Sequence, residues 1–467
     1  MIEFLLERFE AHAIEDALVW RDEVYSYGWL LDSFGRWRRW LHEQRIGSGC
    51  TVTLEADFSP DALALLLALV EGRCIITPMA SSVPESTREE FREVAEIECT
   101  LRPAAGGWSA SFTGRRATHP LLCELRAQDH PGLILFSSGS TGVPKAVTHD
   151  FSRLLRKFHV ARPGKRMLAF LLFDHIGGIN TAFASLGSCG CLVLVEERSP
   201  AAVCSAVEKH EVQVLPTTPT FLNLLLLSEA YLRYDLSSLE RVTYGTEPMP
   251  PATLRRLREC LPSVELHQTY GLSEVGILRS KSRSSDSLWV KLGGEGFETR
   301  IVDGVLEVRA ESSMLGYLNA PSPFSKDGWL RTGDLVEQEG EFFRFVGRES
   351  EVVNVGGEKV HPREVEDALE SLSGVVEAVV WGEANPITGN LVCATVSLST
   401  GETQAEFRRR MRLALRDKLP AFKIPQKVTV TSGPLHSERF KKLRRWCEPT
   451  EEQAAGTAGE PAGGGQR

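Results

Sequence analysis

The chain has 467 residues, 42% hydrophobic and 25% charged, as expected of an ordinary globular protein long enough for two or more domains. Its formal net charge of -9 argues against nucleic acid as the main partner, because binding a phosphate backbone requires a basic surface. The ten cysteines include no C-x-x-C pair, which argues against a disulfide framework or zinc site and favours a reducing, cytoplasmic environment.

The sequence predicts neither a secretory signal nor a membrane span. The N-terminal stretch MIEFLLERFEAH is amphipathic and acidic, without the long apolar core of a signal peptide. No apolar run approaches the ~20 residues that cross a bilayer, and the short run 224–227 is expected on the inner face of a buried helix. Residues 451–467, rich in Glu, Ala, Gly and Pro, predict a disordered tail.

Helical and strand-like segments alternate through most of the chain. An amphipathic helix is predicted at 61–72, and a second at 199–210 begins with Ser199 as N-cap and Pro200 in its first turn. The apolar run 212–215 that follows is typical of a buried strand. This alternation predicts an α/β architecture with largely parallel sheets.

The pattern changes in the last third of the chain. Around 299–308, Asp303-Gly304 between apolar residues predicts a type I′ hairpin and hence an antiparallel sheet. A small independent unit is predicted to begin at Gly347-Arg348. Its expected elements are a Gly356-Gly357 hairpin, a helix near Pro362, strands at 375–381 and 391–398, a helix at 404–418 and a strand near Val428.

The segment 137–145, SSGSTGVPK, follows the apolar run 133–136 and predicts a phosphate-binding loop. Glycines allow positive φ, successive N–H groups form an anion-binding concavity, and hydroxyls and a lysine add hydrogen bonds and charge. It is not a Walker loop, because a Walker lysine directly follows the second glycine, whereas here Val143 and Pro144 stand between Gly142 and Lys145 and Pro144 removes an N–H. The predicted phosphate ligands are Ser137, Ser138, Gly139, Ser140, Thr141, Gly142 and Lys145. A flexible surface loop is the alternative.

Further motifs follow in a fixed order: FDHIGGIN at 173–180, YGTEP at 244–248, HQTYGLSE at 267–274, DGWLRTGD at 327–334, FVGRESE at 345–351 and the basic run 434–445. Together with SSGSTGVPK, they resemble the adenylate-forming superfamily of acyl-CoA synthetases, peptide-synthetase adenylation domains and luciferases. The resemblance implies an α/β fold: a large N-terminal ATP- and acyl-binding domain (1–347) with layered sheets and helices, and a small mobile α+β C-terminal domain (348–450).

The resemblance also implies roles for residues of the nucleotide site. In this superfamily the tyrosine of the HQTYGLSE-like element stacks on adenine, the hydroxyl meets the α-phosphate and the glutamate helps bind Mg²⁺; these roles fall to Tyr270, Ser273 and Glu274. The remaining nucleotide contacts implied are Gly245, Thr246 and Glu247 beside adenine, and Asp334 and Arg348 at the ribose.

For the acid, the resemblance places His175 at the mouth of the carboxylate pocket. Amino-acid-activating relatives hold the substrate ammonium with an aspartate near this position, and Asp174 is adjacent. If the substrate is an acyl group, Asp174 points away and is solvated or paired, while His175 and Ile179 face an uncharged tail. We favour an acyl substrate because the glycines after His175 resemble those of acyl ligases.

The C-terminal motifs resemble the domain that swings between two reactions, with Ser350 as hinge and Gly356-Gly357 beside a pantetheine arm. The basic run 434–445 departs from the superfamily pattern, because the glycine before lysine is absent. Lys441 is the predicted catalytic lysine, although Lys442 also fits, and a basic surface helix without a catalytic role is the alternative.

The implied function is ATP- and Mg²⁺-dependent activation of a carboxylic acid, fatty or aryl, to an acyl-adenylate. The acyl group then passes to the thiol of CoA or of a carrier-protein phosphopantetheine. Two alternatives remain: an amino-acid-adenylating enzyme, and a degenerate nucleotide-binding or regulatory protein.

Overall fold

The computed structural model describes residues 1–137, 144–294, 296–431, 433–437, 440, 442 and 443. The contacts divide the chain into two compact units, residues 1–350 and the residues from Glu351 onwards. The sequence analysis placed this boundary at Gly347-Arg348. Several sequence predictions fall outside the described residues: Ser138, Gly139, Ser140, Thr141 and Gly142 of the phosphate loop, Lys441, and the tail 451–467.

Helices of the first unit mostly begin where the sequence supplies a cap. The predicted helix at 199–210 is confirmed, since Ser199 caps it by accepting a hydrogen bond from the Ala202 N–H and proline occupies its first turn. The helices are α1 (Glu3–Ala11), α2 (Tyr27–Glu43), α3 (Pro60–Glu71), α4 (Glu85–Val94), α5 (Pro120–Gln128), α6 (Phe151–Leu155), α7 (Ile176–Gly187), α8 (Pro200–His210), α9 (Pro219–Ser228) and α10 (Pro251–Cys260).

Strands of the first unit are short and mostly buried. They are β1 (Asp16–Trp20), β2 (Glu23–Ser26), β3 (Thr51–Glu55), β4 (Ile75–Met79), β5 (Cys99–Ala104), β6 (Gly107–Phe112), β7 (Gly132–Ser137), β8 (Lys145–Asp150), β9 (Arg166–Ala169), β10 (Cys191–Leu194), β11 (Val214–Thr217), β12 (Arg241–Tyr244), β13 (Glu265–Gln268), β14 (Gly271–Leu272), β15 (Gly276–Ile277), β16 (Ser280–Ser282), β17 (Val290–Leu292), β18 (Phe297–Val302), β19 (Val305–Ala310), β20 (Gly316–Tyr317), β21 (Leu330–Glu339) and β22 (Phe342–Arg348).

Three larger sheets organise this unit. One has the order β20-β8-β7-β4-β3-β5-β6, another β13-β12-β11-β9-β10-β1-β2, and the third β16-β17-β22-β21-β19-β18. The predicted parallel pairing is confirmed at β3–β4 and from β9 through β13, whereas β7 and β8 beside the phosphate loop are antiparallel. The third sheet is antiparallel and contains the predicted hairpin, where Asp303 and Gly304 both have positive φ as a type I′ turn requires.

Buried side chains from both seven-stranded sheets and from α2, α3 and α7 form one apolar cluster, so these helices lie between the two sheets. Helix α3 is apolar on nearly every position, as expected for a helix enclosed on all sides. The N-terminal turn of α7 packs so closely that a Cβ at Gly178 would lie 1.9 Å from the Leu172 carbonyl oxygen. Among the described residues, no helix has both the length and the apolar character to cross a membrane.

The second unit has its own core of valine, leucine and aromatic side chains. Its elements are β23 (Val353–Val355), β24 (Glu358–Val360), α11 (Pro362–Glu370), β25 (Val375–Asn385), β26 (Gly389–Leu398), α12 (Gln404–Leu415) and β27 (Lys427–Thr431). β25, β26 and β27 form a three-stranded sheet, and β23 pairs with β24 in the hairpin predicted at Gly356-Gly357. The unit is therefore α+β.

Candidate active site

Two predicted motifs meet where the parallel strands β12 and β13 end. The last residues of these strands are register partners, and the Thr269 N–H donates to the Tyr244 carbonyl oxygen at 2.7 Å. Gly245 packs closely against Thr269, since a Cβ at position 245 would lie 2.5 Å from Thr269 Oγ1. The carboxyl ends of adjacent parallel strands share one edge of the sheet, where α/β proteins place ligands.

The turn after β12 is strained at Thr246, a β-branched residue with φ of 72°. Such a conformation costs on the order of 1–3 kcal/mol and persists only when neighbouring contacts fix it. Glu247 supplies one such contact, because its Oε1 accepts from the Thr220 N–H at 2.8 Å and from the Thr220 hydroxyl in the first turn of α9. The Glu247 carboxylate therefore holds the turn in place, while the backbone of Gly245 and Thr246 remains the part predicted to border adenine.

Tyr270, Asp334 and Arg348 form one hydrogen-bonded cluster. The Tyr270 hydroxyl donates to Asp334 Oδ2 at 2.7 Å, and Arg348 Nε donates to Asp334 Oδ1 at 3.0 Å. Asp334 and Arg348 are register partners on β21 and β22, and Phe345 of β22 stacks on the Tyr270 ring with centroids 4.6 Å apart. The structure thus brings together three residues predicted to contact adenosine.

The Asp334 carboxylate is buried, and burial raises its pKa even though Arg348 and the Tyr270 hydroxyl act in the opposite direction. Burial and the neighbouring Asp334 charge likewise raise the pKa of Tyr270 well above its ordinary value. Each carboxylate oxygen can accept more than one hydrogen bond. Asp334 therefore retains acceptor capacity for hydroxyl donors such as those of a ribose.

A second polar group links Glu274 to the end of the phosphate loop. Glu274 Oε1 accepts from the Tyr317 hydroxyl at 2.6 Å, and Lys145 Nζ lies 5.1 Å from the centroid of the Tyr317 ring. Burial and the Glu274 charge raise the pKa of Tyr317, so this phenol stays protonated and donates. Lys145 and Glu274, which were predicted to act on the ATP phosphates and on Mg²⁺, thus contact the ring and the hydroxyl of the same residue, Tyr317.

The strand after the phosphate loop is fixed by contacts that the sequence did not reveal. Asn319 Oδ1 accepts from the Ala146 N–H, and Asn319 Nδ2 donates to the Pro144 carbonyl, both at 2.9 Å. Buried His149 on β8 donates from Nε2 to the Ser273 carbonyl at 2.6 Å, and burial lowers its pKa so that the ring is neutral. The position of Ser273 therefore depends on β8.

The described ends of the phosphate loop lie close together. Ser137 and Lys145 are register partners in the antiparallel β7–β8 pair, and Ser137 Oγ lies 3.5 Å from the Lys145 carbonyl oxygen. This pairing brings the Lys145 side chain beside Ser137.

Asp174 and His175 precede α7 and have different surroundings. Asp174 is buried, and its Oδ2 accepts from the Ala80 N–H at 3.4 Å. His175 is half-buried and caps α7, with Nδ1 accepting from the Gly177 N–H at 3.0 Å. Helix α7 thus fixes the ring of the histidine predicted at the pocket mouth.

In the second unit, Gly356 and Gly357 form the exposed tip of the β23–β24 hairpin. Their φ angles are 61° and 90°, and among the described residues other than the immediate chain neighbours no heavy atom lies within 4 Å of a Cβ built at either position. Glycine is required here by conformation rather than by crowding. The exposed backbone is open to an approaching ligand.

Lys442 is held inside the second unit. Its ammonium forms ion pairs with Glu370 and, at 3.6 Å, with Glu366, and donates to the Ala378 carbonyl at 3.1 Å. Only 8% of the Lys442 side chain is exposed. The alternative of a basic surface helix is wrong for Lys442, because its side chain is buried and it pairs in a bridge with His436. For Lys441, which lies outside the described residues, the choice between a catalytic lysine and a basic surface helix stays open.

Glu274 was predicted to help bind Mg²⁺. The described residues contain no group of three His, Cys, Asp or Glu side chains that could hold a metal ion by themselves. Mg²⁺ in nucleotide sites is commonly bound by one or two carboxylates together with substrate phosphates. The half-buried Glu274 carboxylate, connected through Tyr317 to Lys145, fits such a shared site.

The layered α/β unit and its strand-end clusters are features expected of a nucleotide-binding protein. The family model of the AMP-binding enzyme matches residues 7–304, and that of the AMP-binding enzyme C-terminal domain matches residues 364–439. The chain therefore belongs to the AMP-binding enzyme family, which confirms the resemblance to adenylate-forming proteins.

Individual relatives agree with this assignment. The chain is 28% identical over 325 residues to indoleacetate–CoA ligase of Aromatoleum aromaticum, covering 64% of this chain but only 63% of that protein. It is 31% identical over 377 residues to triostin synthetase I of Streptomyces triostinicus, covering 73% and 69% of the two chains. Its fold is similar to amide bond synthetase McbA from Marinactinospora thermotolerans, with a TM-score of 0.78, 22% identity, and coverage of 94% and 97%.

Proposed function

We propose that this chain uses ATP and Mg²⁺ to convert a carboxylic acid to an acyl-adenylate and then transfers the acyl group to the thiol of CoA. Two sets of contacts carry the proposal. Lys145 lies over the ring of Tyr317, whose hydroxyl donates to Glu274, and Asp334 accepts from Tyr270 and Arg348. Tyr270 and Glu274 are only four residues apart in the chain, which connects the two sets. Membership of the AMP-binding enzyme family and similarity to a CoA ligase support it.

In the first half-reaction, a carboxylate oxygen attacks the α-phosphorus of ATP, and the bond from that phosphorus to pyrophosphate breaks. Both reactants are anions, so positive charge must offset their repulsion. Lys145 would bind phosphate oxygens, the Ser273 hydroxyl would donate to the α-phosphate, and Asp334 and Arg348 would hold the ribose. Mg²⁺, when bound at Glu274, neutralises phosphate charge and stabilises the leaving group.

In the second half-reaction, a thiolate sulfur attacks the acyl carbonyl carbon, and the bond to the AMP phosphate oxygen breaks. We propose that the pantetheine arm of CoA passes the exposed Gly356-Gly357 backbone, where even an added Cβ would meet no described atom within 4 Å beyond the chain neighbours. A phosphopantetheine on a carrier protein has the same thiol and arm, and is the alternative acceptor.

We propose a fatty or aryl acid rather than an amino acid as substrate. Asp174, which would have to bind a substrate ammonium, is instead buried with its Oδ2 directed to the Ala80 N–H. His175 would border the reacting carboxylate, with its orientation fixed by the N-cap bond to Gly177.

The test of the proposed function is carboxylate-dependent exchange of labelled pyrophosphate into ATP. Purified protein, ATP and Mg²⁺ are assayed against a panel of fatty, aryl and amino acids, because a bound acyl-adenylate reverses to ATP when pyrophosphate is added. We expect exchange with a subset of non-amino acids. A folded preparation that binds ATP but exchanges pyrophosphate with no acid would favour the nucleotide-binding or regulatory alternative.

Ser350, the last residue of the first unit, is proposed as the hinge for the second half-reaction. Ser350→Pro fixes φ near -65° and removes a backbone N–H, so we expect adenylation to persist while thioester formation is suppressed. Single-turnover assays measure each half-reaction separately. Ser350→Ala, which keeps the backbone free, is the matched control, and normal thioester formation in Ser350→Pro would remove this residue from the hinge.

A further inference from the structure

An apolar pocket lies between α6, the short 3₁₀ turn Arg156–Phe158 and α7. Phe151, Leu154 and Phe158 line one side, and Ile176, Ile179 and Phe183 of α7 line the other. Among the described lining residues, Lys157 alone carries an ionisable group. A lysine at this place requires an explanation, because burying an ammonium against apolar side chains is unfavourable without a partner.

The pocket adjoins the residues proposed for adenylation. Helix α7 begins directly after His175, and the pocket is also lined by Gly276 and Ile277 of β15, which follow Glu274 closely in the chain. The free space among these side chains is about 10 Å³, room for about one water, so an acid tail that extends from His175 towards Lys157 would have to move them apart.

The Lys157 ammonium is only partly satisfied by protein groups. Its Nζ donates to Asn180 Oδ1 and to the Ile277 carbonyl oxygen at 3.0 Å, which uses two of its three N–H donors. Both acceptors are neutral. Burial, with smaller contributions from Arg162 and Arg279, lowers the pKa of Lys157 to about 7.

The described surroundings of Lys157 offer its ammonium the face of the Phe158 ring, with the ring centroid 5.1 Å from Nζ, but no carboxylate partner. The two charged neighbours that act on it are the cations Arg162 and Arg279. Within the part of the chain that the structure describes, no carboxylate lies at salt-bridge distance from Lys157. An anion placed at the pocket would meet an available N–H donor and an uncompensated positive field, and would favour the charged ammonium.

We propose that Lys157 determines the acid specificity of this pocket, which takes an acid carrying a second anionic group, such as a carboxylate, beyond an apolar spacer. The spacer packs against the phenylalanines and isoleucines, and the distal anion accepts a hydrogen bond from Lys157. This inference rests on the proposed function, because it takes the pocket as the acyl site. It also revises the sequence-based expectation of an uncharged tail: the near part is apolar and the far end is charged.

The experiment compares α,ω-dicarboxylic acids of increasing length, and one benzene-spaced diacid, with monocarboxylic acids of matched length and with the monomethyl esters of the diacids. Acid-dependent pyrophosphate release gives kcat/KM for each, and calorimetry measures acid binding without turnover. The proteins are wild type, Lys157→Met, Lys157→Gln, which keeps an N–H donor without the charge, and Lys165→Met. Lys165 pairs with Glu240 outside the pocket and controls for the loss of a lysine. Thermal melting verifies that each variant is folded.

We expect wild type and Lys165→Met to prefer one diacid over its monoacid and ester. In Lys157→Met the diacid-to-monoacid ratio of kcat/KM should fall by about 10- to 100-fold, the scale of losing a hydrogen bond to a charged group, and Lys157→Gln should recover little of it. Preference for monoacids in wild type, or an unchanged ratio in folded Lys157→Met, would overturn the inference. If diacids bind in a manner that depends on Lys157 but are not turned over, the proposed function is contradicted and the specificity inference stands. If no acid is bound or turned over, the proposed function and the specificity inference are both contradicted.

Discussion

Replacing Lys441 by alanine is expected to reduce adenylation by ~10²-fold or more, the scale of losing an electrostatic contact to a transition state. A catalytic lysine in the run 434–445 is what the resemblance implies, and the contacts of Lys442 favour Lys441 for this role. The sequence left Lys441 and Lys442 as candidates, and the structure commits the Lys442 ammonium to Glu370, Glu366 and a backbone carbonyl. A lysine that is held inside its own unit is unsuited to reach a phosphate.

Lys442→Ala is expected to act on stability instead. It would leave the Glu370 carboxylate without the ammonium that pairs with it and the buried Glu366 carboxylate with Arg363 as its remaining described cation, a loss of about 3–5 kcal/mol for a broken buried ion pair. Although burial opposes the charged form, these two carboxylates raise the pKa of Lys442. A raised folded-state pKa means that this stabilisation is complete below the unfolded-state pKa and is lost as pH rises through the folded value.

Two measurements separate the roles of the lysines. Pyrophosphate exchange reports adenylation, and thermal melting reports stability. Lys441→Ala should melt like wild type and still form thioester from supplied acyl-adenylate, while Lys442→Ala should melt at a lower temperature. A Lys442→Ala protein with normal melting and the same loss of exchange would show that Lys442 is the catalytic residue.

Glu274→Ala should reduce pyrophosphate exchange by about 10²-fold, because the pyrophosphate-forming transition state would lose its proposed magnesium ligand. The half-saturating Mg²⁺ concentration should rise in the same variant, and saturating Mg²⁺ should restore part of the rate. Exchange measured across a Mg²⁺ titration tests both effects.

Tyr317→Phe is the matched control for the Glu274 variant. It removes the hydroxyl that donates to Glu274 but keeps the ring beneath Lys145. If Glu274 acts on the metal, Tyr317→Phe retains most activity and an ordinary Mg²⁺ dependence. If Glu274 served only to accept the Tyr317 hydrogen bond, the two variants would lose equal activity without a change in Mg²⁺ dependence.

Features set by short-range chemistry could be predicted from the sequence. Ser199 and Pro200 located the start of α8, and Asp303-Gly304 located the β18–β19 hairpin, because capping and turn conformation depend on neighbouring residues. The motif containing Tyr270 could be found for the same reason, since its residues are consecutive in the chain. Which partners these residues contact was not predicted.

Partners contributed by distant strands escaped prediction. Tyr317 is 43 residues from Glu274, and Asn319 is 173 residues from Ala146; the pairing of β20 with β8 places Tyr317 opposite Val147 and so brings Asn319 close to Ala146. No local sequence pattern distinguishes Tyr317 from the other buried tyrosines, such as Tyr27 and Tyr244. The antiparallel β7–β8 pair was missed for a related reason: apolar runs predict strands, but strand direction depends on the connection.

Strand β22 carries two contacts of the candidate nucleotide site: Phe345 stacks on Tyr270, and Arg348 donates a hydrogen bond to Asp334. The first unit ends at Ser350, two residues beyond Arg348. An extended strand paired along its length transmits a displacement with little bending. If a ribose binds Asp334 as proposed, the Arg348 guanidinium that would have to adjust belongs to the same short segment as the proposed hinge, so nucleotide binding would act directly on that segment.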